Sequence, residues 1–221
     1  ADIRDAQAVA DAARGVDAIF HEAALGSVPR SIADPHTTHE VNLTGTVNVL
    51  LAARDANVRR VVYASSSSVY GETAVLPKHE GLTPQPLSPY ALSKLAGEQY
   101  IRVFYRVYGL EAVSLRYFNI FGPRQDPESE YAAVVPRFVT ALLEGERPVI
   151  YGDGLQSRDF TYVENVVNAN MLAAEVGDTA GEAFNVACGG RYSLLELLDK
   201  LKKTIGGDVE PIHEPARQGD V

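Results

Sequence analysis

Apolar positions along the 221 residues change their period from one stretch to the next. Short solid apolar runs give way to longer stretches with apolar residues spaced as on one helix face. The compact runs Val16 to His21, Arg60 to Ala64 and Ala112 to Phe118 predict strands, and Val61-Val62-Tyr63 has the β-branched and aromatic content of a buried one. Between them, Asp5 caps a predicted helix through Ala13, closed by Arg14 and Gly15. A longer helix is predicted from about Pro35 to Ala56, carrying Val41, Val47, Leu50 and Leu51, with Asn57 as its stop. A third spans Pro89 to Tyr108: Ser88 is a good N-cap, Pro89 suits the first helical position, and Gly109 ends it. The intervening Ser27-Val28-Pro29-Arg30-Ser31 reads as a loop. Alternating strands and helices predict an α/β fold with a parallel sheet and right-handed crossovers.

Beyond Phe121 the pattern changes. Gly122-Pro123-Arg124-Gln125-Asp126-Pro127 is turn-rich and marks a boundary, with residues 1–121 before it and a smaller subdomain, 122–221, after it. In the second part, helices are predicted over Val134 to Glu144, Val163 to Glu175 and, capped by Ser193, on to Lys203; Pro148 to Tyr151 and Ala183 to Ala187 predict strands. Both parts are expected to share one cleft.

Composition narrows the chemistry. A 46% hydrophobic content supports a sizeable core, and a net charge of −9 argues against a nucleic-acid surface or a polybasic membrane patch. The single cysteine, Cys188, excludes an internal disulfide and a cysteine-rich zinc site, and the five histidines show no metal-ligand spacing, so no metal is expected. No apolar run approaches the roughly 20 residues of a membrane span and no signal-peptide pattern opens the chain, which points to a soluble cytoplasmic protein. The only methionine is Met171, Ala1 to Asp5 reads as mid-domain sequence, and no G-x-G-x-x-G occurs. The chain therefore reads as a piece of a longer protein without its glycine-rich phosphate loop.

The chemistry concentrates between Tyr63 and Lys94. Tyr63-Ala64-Ser65-Ser66-Ser67-Ser68-Val69-Tyr70-Gly71 closes a strand with hydroxyls, and Ser88-Pro89-Tyr90-Ala91-Leu92-Ser93-Lys94 opens a helix with Tyr90 and Lys94 four apart on one face. An ammonium near a phenol favours the phenolate. Bringing a phenol from about 10 to near 7 takes roughly 4 kcal/mol, so one exposed lysine would not suffice and a second cation, such as an oxidised nicotinamide ring, would help. Together the residues compose a Ser/Tyr/Lys proton-transfer unit.

In that order, after alternating strands and helices, these motifs resemble the extended short-chain dehydrogenase/reductases, specifically the nucleotide-sugar epimerase branch, and the resemblance covers essentially the whole chain. It implies a Rossmann-type doubly wound sheet, NAD as cofactor, a UDP-sugar substrate and a homodimer formed through the helices Thr37 to Ala56 and Pro89 to Tyr108. By the same resemblance Ser66, Tyr90 and Lys94 are catalytic. Asp2, Ile3, Ala23, Ala24, Asn42, Ser65 and Tyr117, with Tyr90 and Lys94, are expected to contact the cofactor. Ser27, Ser66, Ser67, Asn119, Val135, Tyr151, Arg158, Arg217 and Asp220 are expected to contact the substrate; a pair of arginines suits a diphosphate because guanidinium pairs bidentately with phosphate oxygens. Ser67 and Ser68 stand where related dehydratases and decarboxylases carry a carboxylate, and Ser27 to Ser31 with Tyr131-Ala132-Ala133-Val134-Val135-Pro136 resembles UDP-glucose and UDP-N-acetylglucosamine 4-epimerases. The implied reaction is 4-epimerisation of a UDP-hexose through a 4-keto sugar: Tyr90 takes the 4-hydroxyl proton, Ser66 hydrogen-bonds the same oxygen, and Lys94 holds the nicotinamide ribose and lowers the Tyr90 pKa. The alternatives are another sugar-nucleotide oxidoreductase, a UDP-glucuronate 4-epimerase, or a non-catalytic nucleotide-binding protein. Lacking the glycine-rich loop, the chain as given is expected to bind NAD poorly.

Overall fold

The computed structural model describes residues 1–127, 133–206 and 209–216. In chain order the elements begin with α1 (Ala6–Ala12), β1 (Ala18–His21), α2 (Val28–Ala33) and α3 (Pro35–His39). A π-helical turn (Glu40–Thr44) leads into α4 (Gly45–Asp55), then β2 (Arg60–Ser66) and a 3₁₀ turn (Ser67–Tyr70). Next come α5 (Pro89–Tyr108), β3 (Ala112–Tyr117), β4 (Ile120–Phe121), α6 (Val134–Glu144), β5 (Val149–Tyr151), β6 (Ser157–Arg158) and β7 (Thr161–Tyr162). The remainder is α7 (Val163–Glu175), β8 (Ala183–Val186), β9 (Tyr192–Ser193), α8 (Leu194–Ile205) and β10 (Ile212–Glu214).

Two compact units result among the described residues: 1–117 with 166–186, and 118–165 with 187–216. The sequence places a break near Gly122; by contacts it falls after Tyr117, and 166–186 returns to the first unit because β8 adds to the sheet beside β3.

In the first unit β1-β2-β3-β8 form one parallel sheet. This is the parallel α/β sheet that the strand–helix alternation predicts and the Rossmann-like architecture that the resemblance implies. Strands covered on both faces need continuous apolar runs, and β2 is buried from Arg60 through Ser65, as is β3 from Ala112 to Arg116. Leu50 and Ala53 of α4, Ile101 and Phe104 of α5, and Val61, Tyr63 and Ala112 of the sheet pack into one core. Each large apolar side chain buried there stabilises by about 1.5–3 kcal/mol.

Two local expectations change. Residues 27–31 are not a loop: Ser27 accepts a hydrogen bond from the Arg30 N–H at 3.2 Å, and with Pro29 in the first turn this cap starts α2. The long helix predicted from Pro35 to Ala56 is interrupted by the π turn at Glu40–Thr44. α5 follows its sequence signals closely, from the Ser88 cap to Gly109 in the left-handed region at φ 70°.

In the second unit Phe138, Leu142, Ile150 and Leu198 form the core between α6, β5 and α8. β5 pairs with β10 and β4 with β7 in parallel, and β6 pairs with β9 antiparallel. Ser193 and Glu196 form a reciprocal capping box at the start of α8. Among the described residues, no helix is long and apolar enough to cross a membrane, and no cluster of His, Cys, Asp or Glu is placed to hold a metal ion.

Candidate active site

The serine cluster sits at the carboxyl end of β2. Ser66 caps the 3₁₀ turn that follows, its hydroxyl oxygen accepting from the Ser68 N–H at 3.2 Å and from the Ser68 hydroxyl at 2.9 Å. Ala91, Lys94, Glu98, Ile101 and Phe104 recur three or four apart along the buried face of α5. Lys94 thus occupies a core position, only 3% exposed. Its Nζ donates to the Ala64 carbonyl at 2.7 Å and lies 5.0 Å from the centroid of the Tyr63 ring, a cation–π seat. Gly97, one turn beyond, allows this approach, because a Cβ there would collide with the Tyr63 hydroxyl.

Burial lowers the Lys94 pKa to about 8, opposed by the carboxylate of Glu22, so the side chain remains largely an ammonium at neutral pH. Burial, with the Lys94 charge added, lowers His21 to about 4. His21 is therefore neutral. Its Nε2 meets Thr46 Oγ1 at 2.8 Å, and since the Thr46 hydroxyl donates to the Asn42 carbonyl, Nε2 carries the proton.

Tyr90 departs from the expected direction. Burial pushes its phenol up from the ordinary value, and the opposing influence is a hydrogen bond with Ser66. Lys94 instead engages the Ala64 carbonyl and the Tyr63 ring. The protein alone therefore holds Tyr90 as a phenol, and ionisation needs the further positive charge anticipated above. Ser66 and Tyr90 are thus hydrogen-bonded to each other.

The other anticipated residues of the first unit take varied places. Asn42 is buried in the π turn, where its Oδ1 accepts from the Leu25 N–H at 2.7 Å and its Nδ2 donates to the Leu25 carbonyl and to Ser93 Oγ, both at 3.2 Å. Those bonds fix the Ala23–Gly26 segment from below, so Asn42 acts on that segment through its backbone. The extra residue of a π turn is a common device at functional positions. Ser65 sends its hydroxyl into the interior, to Glu98, rather than outward. Ser67 opens the 3₁₀ turn. Ser27 is 6% exposed and serves as the α2 cap. Asp2 is exposed, forks to Arg4 at 2.6 Å, and is held at a pKa of about 2 by that hydrogen bond. The Ile3 side chain lies against Gly45 of α4, and its carbonyl accepts from Asn48.

Tyr117 ends β3, and its hydroxyl donates to Glu22 at 2.8 Å and accepts from Asn170 Nδ2 at 2.7 Å. Burial and the Glu22 charge both keep this phenol protonated. Glu22, Asn170 and Glu98 were not singled out from the sequence. For Glu98 a signal existed: it shares the α5 stripe with Ala91, Ile101 and Phe104, where a carboxylate is anomalous.

In the second unit, Asn119 donates to the Asp159 carbonyl at 3.1 Å, and the Asp159 carboxylate accepts from the Cys188 and Gly189 N–H groups. Arg158, on β6, donates to the Ser157 carbonyl, and Arg191 reaches Ser157 Oγ at 2.8 Å. Val135 lies in the first turn of α6 and Tyr151 ends β5, both partly buried. Arg217 and Asp220 lie outside the described residues, as do Tyr131 and Ala132.

Tyr90, Ser66, Lys94, Tyr117 and Glu22 thus gather at the carboxyl ends of β1, β2 and β3, the edge at which parallel α/β sheets take their ligands. The sequence profile of the NAD dependent epimerase/dehydratase family matches residues 1–187. The chain belongs to this family. Among curated relatives, a putative UDP-glucose 4-epimerase of Methanocaldococcus jannaschii is 40% identical over 209 residues, covering 94% of this chain and 67% of its own length. The UDP-glucose 4-epimerase of Mycolicibacterium smegmatis is 42% identical over 206 residues, and this chain spans 65% of it. The chain thus spans about two thirds of these relatives. Among solved structures, the Methanobrevibacter ruminantium UDP-N-acetylglucosamine 4-epimerase in complex with UDP-N-acetylmuramic acid superposes with a TM-score of 0.96 at 41% identity, covering all of this chain and 70% of that one. The family fold is shared throughout.

NAD is the family's cofactor, and the donor set suits it. The Lys94 ammonium has three N–H groups, and among the described residues one of them has an acceptor, the Ala64 carbonyl. The remaining donors suit ribose hydroxyls. The small side chains of Ala23 and Ala24, held in place through Asn42 and Leu25, permit close approach of a ligand to the backbone.

Proposed function

We propose that the protein containing this chain is an NAD-dependent 4-epimerase of a UDP-hexose, either UDP-glucose/UDP-galactose or the corresponding N-acetylhexosamine pair. The observation that carries this reading is the hydrogen bond between the Ser66 hydroxyl and the Tyr90 phenol, with the buried ammonium of Lys94 anchored on the Ala64 carbonyl of the same strand. When bound, NAD supplies reversible hydride exchange at the sugar carbon. Tyr90 then takes the proton of the sugar 4-hydroxyl and later returns it, and Ser66 holds the same oxygen. The substrate passes through a 4-keto sugar, which turns so that the opposite face is reduced. Lys94, with pKa about 8, stays charged at neutral pH and would hold the nicotinamide ribose, while the further positive charge that favours the ionised phenol would come with the oxidised nicotinamide. Ser67 and Ser68 bring no carboxylate beside the sugar, which favours epimerisation over dehydration. In the second unit Asn119 and Arg158, with Arg217 and Asp220, hold the UDP moiety, and Val135 and Tyr151 flank its base and ribose.

We also infer a cytoplasmic homodimer. Support for the dimer comes from α5, whose outer face exposes Leu92, Tyr100, Val103 and Val107 at near-helical spacing. An apolar stripe of that kind marks a contact surface.

The test is an assay of the full-length protein with UDP-galactose and UDP-N-acetylgalactosamine separately, without added cofactor. Formation of either 4-epimer supports the reading and identifies the sugar. Absence of turnover from a preparation with bound NAD rejects it.

A further inference from the structure

One buried charged pair in the first unit lies outside the chemistry described so far. The carboxylate of Glu98 on α5 and the guanidinium of Arg116 on β3 are 4% and 6% exposed, and they pair in a fork, Nε to Oε1 at 2.9 Å and Nη2 to Oε2 at 2.7 Å. Among the described residues, each partner makes one more hydrogen bond. Glu98 Oε1 also accepts the Ser65 hydroxyl, and Arg116 Nη1 donates to the Tyr70 hydroxyl at 2.8 Å, with the guanidinium 4.8 Å from the Tyr70 ring centroid. The Tyr70 hydroxyl in turn donates to Asn185 on β8 at 2.7 Å. Ser65, Arg116 and Asn185 are register partners across β2, β3 and β8, so the network forms one polar rung next to the carboxyl ends of these strands.

A buried ion pair of this kind is often no more stabilising than apolar residues of the same volume. What it supplies is geometry, because a planar fork admits a narrow range of orientations. Here that geometry acts on a short segment. Ser65 and Tyr70 are the two ends of the stretch that contains Ser66 and the 3₁₀ turn, and both ends are tied to the same carboxylate–guanidinium unit. Between those anchors, Ser66 caps the turn and meets Tyr90. We propose that Glu98 and Arg116 are positioning residues that clamp both ends of the 65–70 segment and so aim Ser66 at Tyr90. The inference deepens the epimerase reading and rests on it for its kinetic consequence, though not for its geometric one.

Two single-hydroxyl deletions in the full-length protein test it while leaving the ion pair in place: Ser65→Ala and Tyr70→Phe. Each is expected to lower kcat about tenfold with KM for the UDP-sugar nearly unchanged, because small misplacement of a reacting group costs rate before affinity. Ser65→Thr, which keeps the hydroxyl, is expected to restore kcat. A second readout is independent of turnover: in protein labelled with [13Cζ]tyrosine, the resonance absent from Tyr90→Phe is expected to shift in Ser65→Ala and in Tyr70→Phe. Wild-type kcat in both variants, in a preparation where Tyr90→Phe is inactive, overturns the clamp and leaves the epimerase reading standing. An unmoved Tyr90 resonance in both variants overturns the clamp whatever the turnover. Lack of turnover in the wild type, with the resonance shifts present, instead rejects the epimerase reading and keeps the clamp.

Discussion

Replacing Tyr90 by Phe removes one phenolic oxygen and leaves the aromatic ring in place. Epimerisation by the full-length protein is therefore expected to drop by several orders of magnitude, with a melting temperature close to wild type; a variant with near-normal turnover would refute the assignment of Tyr90. His21 gives a different residue-scale prediction, on stability. Its pKa falls from 6.5 to about 4 on folding because the imidazole is buried and Lys94 is near. The folded state then binds fewer protons than the unfolded state between those values. Stability from this group is fully present above pH 6.5 and is lost as pH falls through about 4. The linkage amounts to about 3 kcal/mol across the window. Urea unfolding of wild type and His21→Gln through this pH range should show the wild type losing its advantage as pH falls; parallel curves would contradict the linkage.

At the scale of elements, two contacts set how β2 is held. At its start Arg60, 1% exposed, donates to the carbonyls of Ala173 and Val176 at 2.9 and 2.6 Å, which ties the last turn of α7 to the strand. Arg60→Met removes both of these hydrogen bonds and the donor to the Ala173 carbonyl and is expected to cost about 2–4 kcal/mol in denaturant unfolding. Beyond the other end, Gly71 closes the 3₁₀ turn at φ 58° and ψ −148°, and a Cβ there would strike the Gln85 carbonyl oxygen. Gly71→Ala is expected to destabilise by about 1–3 kcal/mol or more, read as a lowered melting temperature. These elements also show what the sequence makes legible. The strands, α5 with its Ser88 cap and Gly109 stop, and α8 with its Ser193 cap follow from local signals. The π turn does not, because it comes with Asn42 reaching Leu25 and Ser93, partners distant in sequence. α2 is set by the Ser27 cap and Pro29 without an apolar period to announce it. The Tyr90–Lys94 spacing was readable, whereas the partner of Lys94 was not: the carbonyl of Ala64 lies 30 positions away. Glu98 and Arg116 likewise acquire meaning only as a pair.

For the whole molecule, the exposed stripe of α5 carries the prediction. Val103, 49% exposed at the centre of that face, is expected to be covered by a second copy in the full-length protein. Val103→Asp should convert a dimer to a monomer in sedimentation, and an unchanged dimer would place the interface elsewhere. The sheet has a further consequence, for biosynthesis. Ser114 on β3 pairs with Ala183 on β8, and most of the second unit is encoded between them. With translation at roughly 5–20 residues per second, β3 emerges from the ribosome several seconds before its partner exists. During that interval its free edge is a row of unpaired amides and carbonyls. The nascent chain is thus open to mispairing at β3 until β8 has been made.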